Sequence, residues 1–366
     1  DNGINWTNIS LNLVINEFYR ISGFQDNGNL ILGGTQDNGH FLRESNTNAF
    51  KKVLGGDGMD NIIDYSNSNT MYACFQNGGI NKSINGGTNW TSITTPDIGD
   101  WITPILQSPA ASNTIFYGSN SGVLRSTDAG SSWVNIGGLN KASVLAISNF
   151  GGRLIVVGEV TGGSAVKKCD NPNSASPTWS NDLIPSNPGA TISSAAINPA
   201  NADDIYITFS GYNDERKVWR TINGGNNWIE YTLNLPNIPI YSIAFANQNN
   251  TPASAVYIGT ELGVFYKDDN QAGWEPFYNG LPRVPVTDLH VDYSSGFVIA
   301  ATFGRGLWRS EGHSACPYSH TLSDEVFGNR FYQAAATIYS SQQIPGTAGN
   351  SLKLRAANTI RLTNGF

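Results

Sequence analysis

The chain runs to 366 residues with 21 basic and 28 acidic side chains, and the formal charge of −7 excludes the basic footprint of a nucleic-acid-binding domain. Apolar residues at 39% and aromatics at 11% suffice for a packed interior, which excludes a disordered chain. No apolar run approaches the roughly 18 residues of a membrane-spanning helix and no signal-like succession opens the chain, so no transmembrane segment is expected and the chain is read as starting after any signal peptide.

Glycine occurs 40 times, asparagine is as frequent, and methionine occurs only twice. With many Asn-Gly, Gly-Gly and Asp-Gly steps, this predicts strands joined by tight turns, an all-β chain. In chain order, Asp1 to Ile9 reads as an outer strand and Phe18 to Phe24 as an inner one. Seven units follow, each an alternating apolar run, a Gly-rich bend and a second run. They begin near Leu30 (LILGGTQDNGHFLRES), Met71 (MYACFQNGGINKS), Ile115 (IFYGSNSGVLRS), Leu154 (LIVVGEV, then AVKKC), Ile205 (IYITFSGYNDERKVWRT), Val256 (VYIGTELGVFYK) and Phe297 (FVIAATFGRGLWRS). Val144 to Ser148, Ile240 to Phe245 and Val286 to Val291 supply further inner strands. Each unit is the expected middle pair of a four-stranded propeller blade. The seventh has no outer strand behind it, because the pattern changes from Glu311 onward. Pairing its edge with the opening segment closes a seven-bladed β-propeller and removes the open sheet edges. The competing expectation is that Asp1 lies inside a longer chain with further blades upstream, and both can hold.

Between the second and outer runs a motif recurs: Ser/Thr, any residue, Asp/Asn, any, Gly, any, any, Trp. Its copies are Ser83, Asn85, Gly87 and Trp90; Ser126, Asp128, Gly130 and Trp133; and Thr221, Asn223, Gly225 and Trp228. The chain opens inside another copy with Asp1, Gly3 and Trp6, and weaker copies end at Trp274 and, with an insertion, at Trp179. From Trp90 onward the tryptophans are spaced by 43, 46, 49 and 46 residues, whereas Trp6 and Trp90 are 84 apart, so a degenerate copy is expected near Phe50. The Asp or Asn side chain bonds nearby backbone N–H groups while Gly takes positive φ, and the Trp covers the turn.

This repeat resembles the Asp-box, or BNR, repeat of sialidases, xyloglucanase-type glycoside hydrolases, sortilin-like receptors and photosystem assembly factors, where it marks the fold and not the reaction. Gly33 to Gly39 (GGTQDNG), Gly55 to Gly58 (GGDG) and Ala301 to Trp308 (ATFGRGLW) resemble more specifically the sortilin-like propellers of secreted Bacteroidota proteins, over residues 1 to 312. Residues 313 to 366 read as a second, small stacked β module, in which Ala334 to Ile338 (AAATI) is echoed 22 residues later by Ala356 to Ile360 (AANTI). That module is similar to the coat-hanger stack that precedes the sorting domain in type IX secretion cargo. The resemblance implies export through the type IX translocon and its shuttle, a secreted or cell-surface location reached across the outer membrane, and a role in adhesion or gliding motility. The resemblance therefore leads one to expect a sorting domain after this module, either cleaved or lying beyond the end of this sequence.

The chemistry-bearing residues are few. Cys74, Cys169 and Cys316 lack metal-ligand spacing and read as inert thiols, and His40, His290, His313 and His320 are scattered. The Arg-Ile-Pro signature of sialidases is absent, and the 12 arginines do not recur at blade starts. Asp37, Asp57, Asp60, Asp97, Asp100 and Glu261 are the carboxylates placed to project from the loop face, and no spacing selects a hydrolytic pair among them. Asp37, Asn38 and Asp57 sit in Gly-rich loops with hard oxygen donors, which makes them candidates for a ligand or for calcium, though no cofactor is required. Arg305 between two glycines is a candidate for pairing with a carboxylate inside the ring or with a ligand, and Trp101 and Trp219 for stacking on sugars. No phosphate-binding loop and no GxSxG elbow occur. Three readings follow: a non-catalytic binding or adhesion module for a surface polysaccharide or protein, a glycoside hydrolase acting on an extended polysaccharide, and a scaffold for other surface proteins.

Overall fold

Tight turns that reverse the chain every few residues force each strand to pair with its sequence neighbour, and the computed structural model of the protein shows seven such antiparallel sheets in a ring. It describes residues 3–9, 15–25, 27–44, 49–161, 163–183, 191–212, 215–246 and 252–313, then 319–322, 329–334, 337–340, 351–356 and 359–362.

The first blade is Phe18–Phe24, Asn27–Thr35, Gly39–Arg43 and Phe50–Leu54, from inner to outer strand. The second comprises Gly58–Ile63, Met71–Phe75, Ile80–Ser83 and Thr91–Ile93, and the third Ile105–Gln107, Ile115–Ser119, Gly122–Ser126 and Val134–Asn135. Val144–Ile147, Leu154–Val160 and Gly163–Cys169 form the fourth, whose outer position is reduced to a bridge between Cys169 and Trp179. The inserted turn explains that reduction: Asn171 Oδ1 accepts the Thr178 N–H at 2.9 Å and holds a longer excursion before Trp179. The fifth and sixth blades are Ile192–Asn198, Asn201–Phe209, Val218–Thr221 and Ile229–Glu230, then Ile240–Phe245, Val256–Thr260, Gly263–Lys267 and Glu275–Pro276. Val286–Val291, Phe297–Thr302 and Leu307–Glu311 make the seventh, and the opening strand Thr7–Asn8 completes it through the registers Thr7 to Arg309 and Asn8 to Trp308. Each inner strand touches the inner strand on either side, and the last touches the first, so the ring closes around a central channel.

The core lies in the seams between blades. In six of them the motif tryptophan packs against the preceding blade: Trp6, Trp90, Trp133, Trp179, Trp228 and Trp274. Phe50 takes that place between the seventh and first blades, while the turn before it, 45–48, lies outside the described residues. A second device spans the seams in the other direction. The residue before the motif position is a cation in five blades, and each reaches the next blade: Lys82 to Ala129 O, Arg125 to Pro172 O and Ser174 O, Lys168 to Gly224 O, Arg220 to Asp269, and Arg309 to Asn29. Where the first two blades converge, Gly34 is required, since a Cβ there would lie 2.0 Å from Met59 O.

A second unit comprises Ser314–Phe366. It consists of parallel strands: Ser319–Leu322, Thr337–Ser340 and Thr359–Leu362 in one sheet, Asn329–Ala334 and Ser351–Ala356 in another. The 22-residue echo corresponds to this pairing, with Thr337 against Thr359 and Ala334 against Ala356. The sequence places the boundary after Gly312, yet His313 packs with the propeller: its N–H donates to Tyr257 Oη at 2.5 Å and its ring stacks on Tyr266.

Candidate functional site at the loop face and channel

The recurring motif is accounted for by its own turn. In the second blade Ser83 Oγ accepts the Gly87 N–H at 2.9 Å and donates to Asn85 Oδ1, which accepts the Asn89 N–H at 2.9 Å. Ser126 with Gly130 and Asp128 with Ser132 repeat this at 2.8 Å each, and Thr221 with Gly225 and Asn223 with Asn227 at 3.0 and 2.9 Å. The Asp128 carboxyl is drawn down to about 2 by its bonds from Ser132 and Ser126. Positive φ at Gly87, Gly130 and Gly225 (79°, 93° and 90°) completes the turns. Asp1 lies outside the described residues; Gly3 and Trp6 pack on Phe277. The described residues of the motif thus hold the turns of their own blades.

The opposite face carries the loops between blades and between the middle strands. Here Asp37 and Asp57 do come together, through a bond from the Asp37 N–H to Asp57 Oδ1 at 2.7 Å. Asp57 thereby closes the Gln36–Gly39 turn, in which Asp37 sits at φ 59° and Asn38 donates through its amide to Gln36 O. The same turn is tied to the seventh blade, because the Gln36 N–H donates to Glu17 O and Glu17 bridges Phe303. Arg305 is two residues beyond. Its guanidinium donates to Gly304 O at 3.0 Å, and among the described residues it forms no ion pair, contrary to the expected carboxylate partner within the ring.

The other loop carboxylates are also engaged. Asp97 accepts the Ser121 N–H at 2.8 Å and its hydroxyl at 2.7 Å, bonds that hold its carboxyl below the usual range, with that of the hydroxyl the largest. Asp100 accepts the Trp101 N–H at 2.7 Å, and Glu261 accepts a short bond from the Tyr241 hydroxyl. Trp101 stands 46% exposed beside Ile98 at 61%, a flat apolar element on this face. Trp219 is buried in the seam of the fourth and fifth blades and is no stacking surface, because it alternates inward on its strand.

Asp60 points elsewhere. It lies on an inner strand, half-buried in area but enclosed by protein, and its oxygens accept the N–H groups of Asn61 at 2.8 Å and of Ile105, in the next blade, at 3.0 Å. Asp288 does the same for the seventh and first blades, accepting Leu289 N–H and Ile21 N–H at 2.9 Å each. Arg20 lies near both and donates to Thr287 O at 3.1 Å. Burial pushes the Asp60 carboxyl up to about 6 against the pull of Arg20, and raises that of Asp288 in the same way. All three flank register shifts in the inner strands, next to Gly58, Phe18 and Val286. Arg20 and Asp288 were not singled out from the sequence; the available signal was a charge recurring inside otherwise apolar inner strands. A carboxyl near 6 suits proton transfer, yet both oxygens of each aspartate are taken by backbone donors, so the trio sutures inner strands.

Among the described residues no group of three or more His, Cys, Asp or Glu side chains is arranged to hold a metal ion. Cys74 and Cys169 are buried free thiols, both raised by desolvation, and Cys316 lies outside the described residues. No described helix is long and apolar enough to cross a membrane.

The sequence matches no family model and no curated protein. Solved structures similar to the chain include the GH74 enzyme of Niastella koreensis (19% identity, TM-score 0.58, 79% of this chain and 51% of that one). An ancestral GH74 enzyme aligns at 15% identity and TM-score 0.54, over 81% of this chain and 47% of that one. The chain thus spans about half the length of these hydrolases. YCF48 from Cyanidioschyzon merolae aligns at 13% identity and TM-score 0.58 over 83% of this chain and 98% of that one, and a YCF48 bound to a D1 peptide at 13% and 0.57, over 82% and 94%. At these identities the likeness establishes the seven-bladed propeller fold alone.

Proposed function

We propose that the propeller is a non-catalytic binding module that presents its loop face to an extended surface polymer, a polysaccharide or a protein segment. The observation that carries this reading is how the loop-face carboxylates are used. Asp57 and Asp97 are each bonded to the backbone of a neighbouring loop, Asp100 to the N–H of the next residue in its own loop, and Glu261 to a tyrosine hydroxyl. Hydrolysis of a glycosidic bond needs two carboxyl groups free to face a substrate from opposite sides. A binding face needs the reverse, loops fixed in advance with exposed groups such as Trp101 displayed on them. The YCF48 propeller bound to a peptide supports a protein ligand as one form of this activity.

The recurring turns are of the Asp-box type under this proposal, and the tail a coat-hanger stack. That sequence likeness to type IX secretion cargo supports export by the translocon and its shuttle to the cell surface, with adhesion or gliding as the setting. No cofactor is needed, and calcium is proposed only as an accessory at Asp37, Asn38 and Asp57. The GH74 likeness favours a second reading, hydrolysis of a polysaccharide. Both are tested by glycan-array and peptide-array binding of the 366-residue chain with and without calcium, followed by product analysis of every hit. Saturable binding without cleavage is expected; released oligosaccharides would overturn the binding reading in favour of the hydrolase.

A further inference from the structure

On the opposite face of the ring, where the motif turns lie, a cavity of about 310 Å³ opens between the fourth and fifth blades. One wall is Phe150, at the tip of the hairpin between Val144–Ile147 and Leu154–Val160. It is 83% exposed, more than any other large apolar side chain among the described residues. The hairpin that carries it is fixed: the Gly151 N–H donates to Ser148 O at 2.7 Å, the Arg153 N–H to Ser148 Oγ at 2.9 Å, and the Asn173 amide to Gly151 O at 3.2 Å. Full burial of a phenylalanine is worth about 1.5 to 3 kcal/mol, so a ring held outward on a fixed turn at the wall of a cavity offers apolar area that a ligand can cover.

The polar lining indicates what covers it. Arg153 donates through Nε to Asp170 and through Nη1 to Asp203, both at 2.5 Å, and through Nη1 to Ala202 O at 2.7 Å. Lys168 lies 4.0 Å from the second Asp170 oxygen. Two cations therefore face two carboxylates, and the site offers a charged ligand no unmatched counter-charge. Asp170 nonetheless keeps 54% of its side chain exposed, with acceptor capacity beyond the bond it makes to Arg153. Asn149 is exposed and lines the same cavity, supplying both a donor and an acceptor. An open aromatic face, balanced charges and spare hydroxyl acceptors suit a neutral polyol with one apolar C–H face, whose hydrogens are attracted to the negative face of the ring.

We propose that this cavity binds a neutral sugar residue of a polysaccharide, which lies on Phe150 and donates hydroxyls to Asp170 and Asn149. The site is separate from the loop face, and stands or falls independently of the function proposed for that face. Its test is titration calorimetry of the full chain with cellohexaose, maltohexaose, laminarihexaose and mannohexaose, alongside polygalacturonate as a polyanion. At least one neutral hexamer is expected to bind saturably. Its affinity should drop at least about tenfold in Phe150→Ala, be retained in Phe150→Trp, and be unchanged in Ile84→Ala, a 72% exposed apolar side chain in the turn of the second blade. Because Phe150 is exposed, Phe150→Ala should unfold with the wild type. Failure of all four hexamers to bind at millimolar concentration, or binding indifferent to Phe150, overturns the proposal. Phe150-dependent binding of polygalacturonate alone overturns the neutral assignment. Loss in Trp101→Ala without loss in Phe150→Ala assigns the sugar to the loop face and also overturns it.

Discussion

Replacing Arg220 by alanine should destabilise the propeller more than any surface charge change. Its guanidinium grips Asp204 at 2.9 and 3.1 Å, reaches Asp269 in the sixth blade at 2.6 Å, and lies 5.1 and 5.5 Å from the ring centroids of Tyr206 and Tyr231. Only 13% of the Arg220 side chain and 5% of Asp204 remain exposed, against 53% of Asp269. Breaking a buried pair strands the remaining carboxylate at a cost of about 3 to 5 kcal/mol. The bond to half-exposed Asp269 adds about 0.2 to 1 kcal/mol and each cation–π contact about 0.5 to 1 kcal/mol. Because these contributions overlap, Arg220→Ala should cost about 4 kcal/mol in urea unfolding followed by tryptophan fluorescence. Most of that cost belongs to the stranded Asp204 carboxylate, which also accepts the Asn198 amide at 2.9 Å. Adding Asp204→Asn should therefore recover roughly 1.5 kcal/mol or more relative to the sum of the single changes. A loss below about 1 kcal/mol in Arg220→Ala, or additivity of the two substitutions within about 0.5 kcal/mol, would refute the seam as a buried electrostatic clamp.

Other outcomes follow from the same geometry. Asp60 has a folded-state pKa raised to about 6, so the native state holds the proton more tightly; its contribution is complete below the ordinary aspartate value, near 3.8, and is lost as pH rises through 6. Stability should fall by about 3 kcal/mol across that window, and Asp60→Asn should flatten this fall in unfolding curves taken at successive pH values. Trp274→Ala, which empties a site 2% exposed and removes a bond to Tyr231 O, should cost about 3 to 5 kcal/mol in the same urea assay. Asp57→Ala frees the Asp37 N–H, and limited proteolysis should cut within Gln36–Gly39 faster than in the wild type while the melting temperature barely moves. Trp101→Ala should abolish loop-face ligand capture on the arrays with no change in unfolding, since its ring is half in solvent.

The blades were legible because a repeated local signal specifies them. Short apolar runs such as MYACF and VYIGT, buried on both faces and each followed by a glycine bend, have the length and the bounding turns of a central strand, and the motif turn announces itself by four residue types at fixed offsets. What the spacing of the tryptophans could not convey is the direction of their packing, backward into the preceding seam, since that depends on contact between residues of different repeats. The cations before the motif, Lys82, Arg125, Lys168 and Arg220, were visible at the same offset in four repeats, and the fifth, Arg309, follows the same register. Each has the side-chain length to leave its own sheet. The site was less legible for a related reason. A glycine-rich loop with two aspartates reads equally as an ion cradle and as a turn, and only the position of the Asp37 N–H on Asp57 decides how that carboxylate is used. Asp60, grouped from the sequence with the loop carboxylates, belongs instead with Arg20 and Asp288, because a bulge in each inner strand turns one polar side chain toward the neighbouring blade. The alternation that locates a strand is silent about such a shift, and the shift is where the buried charges of this propeller lie.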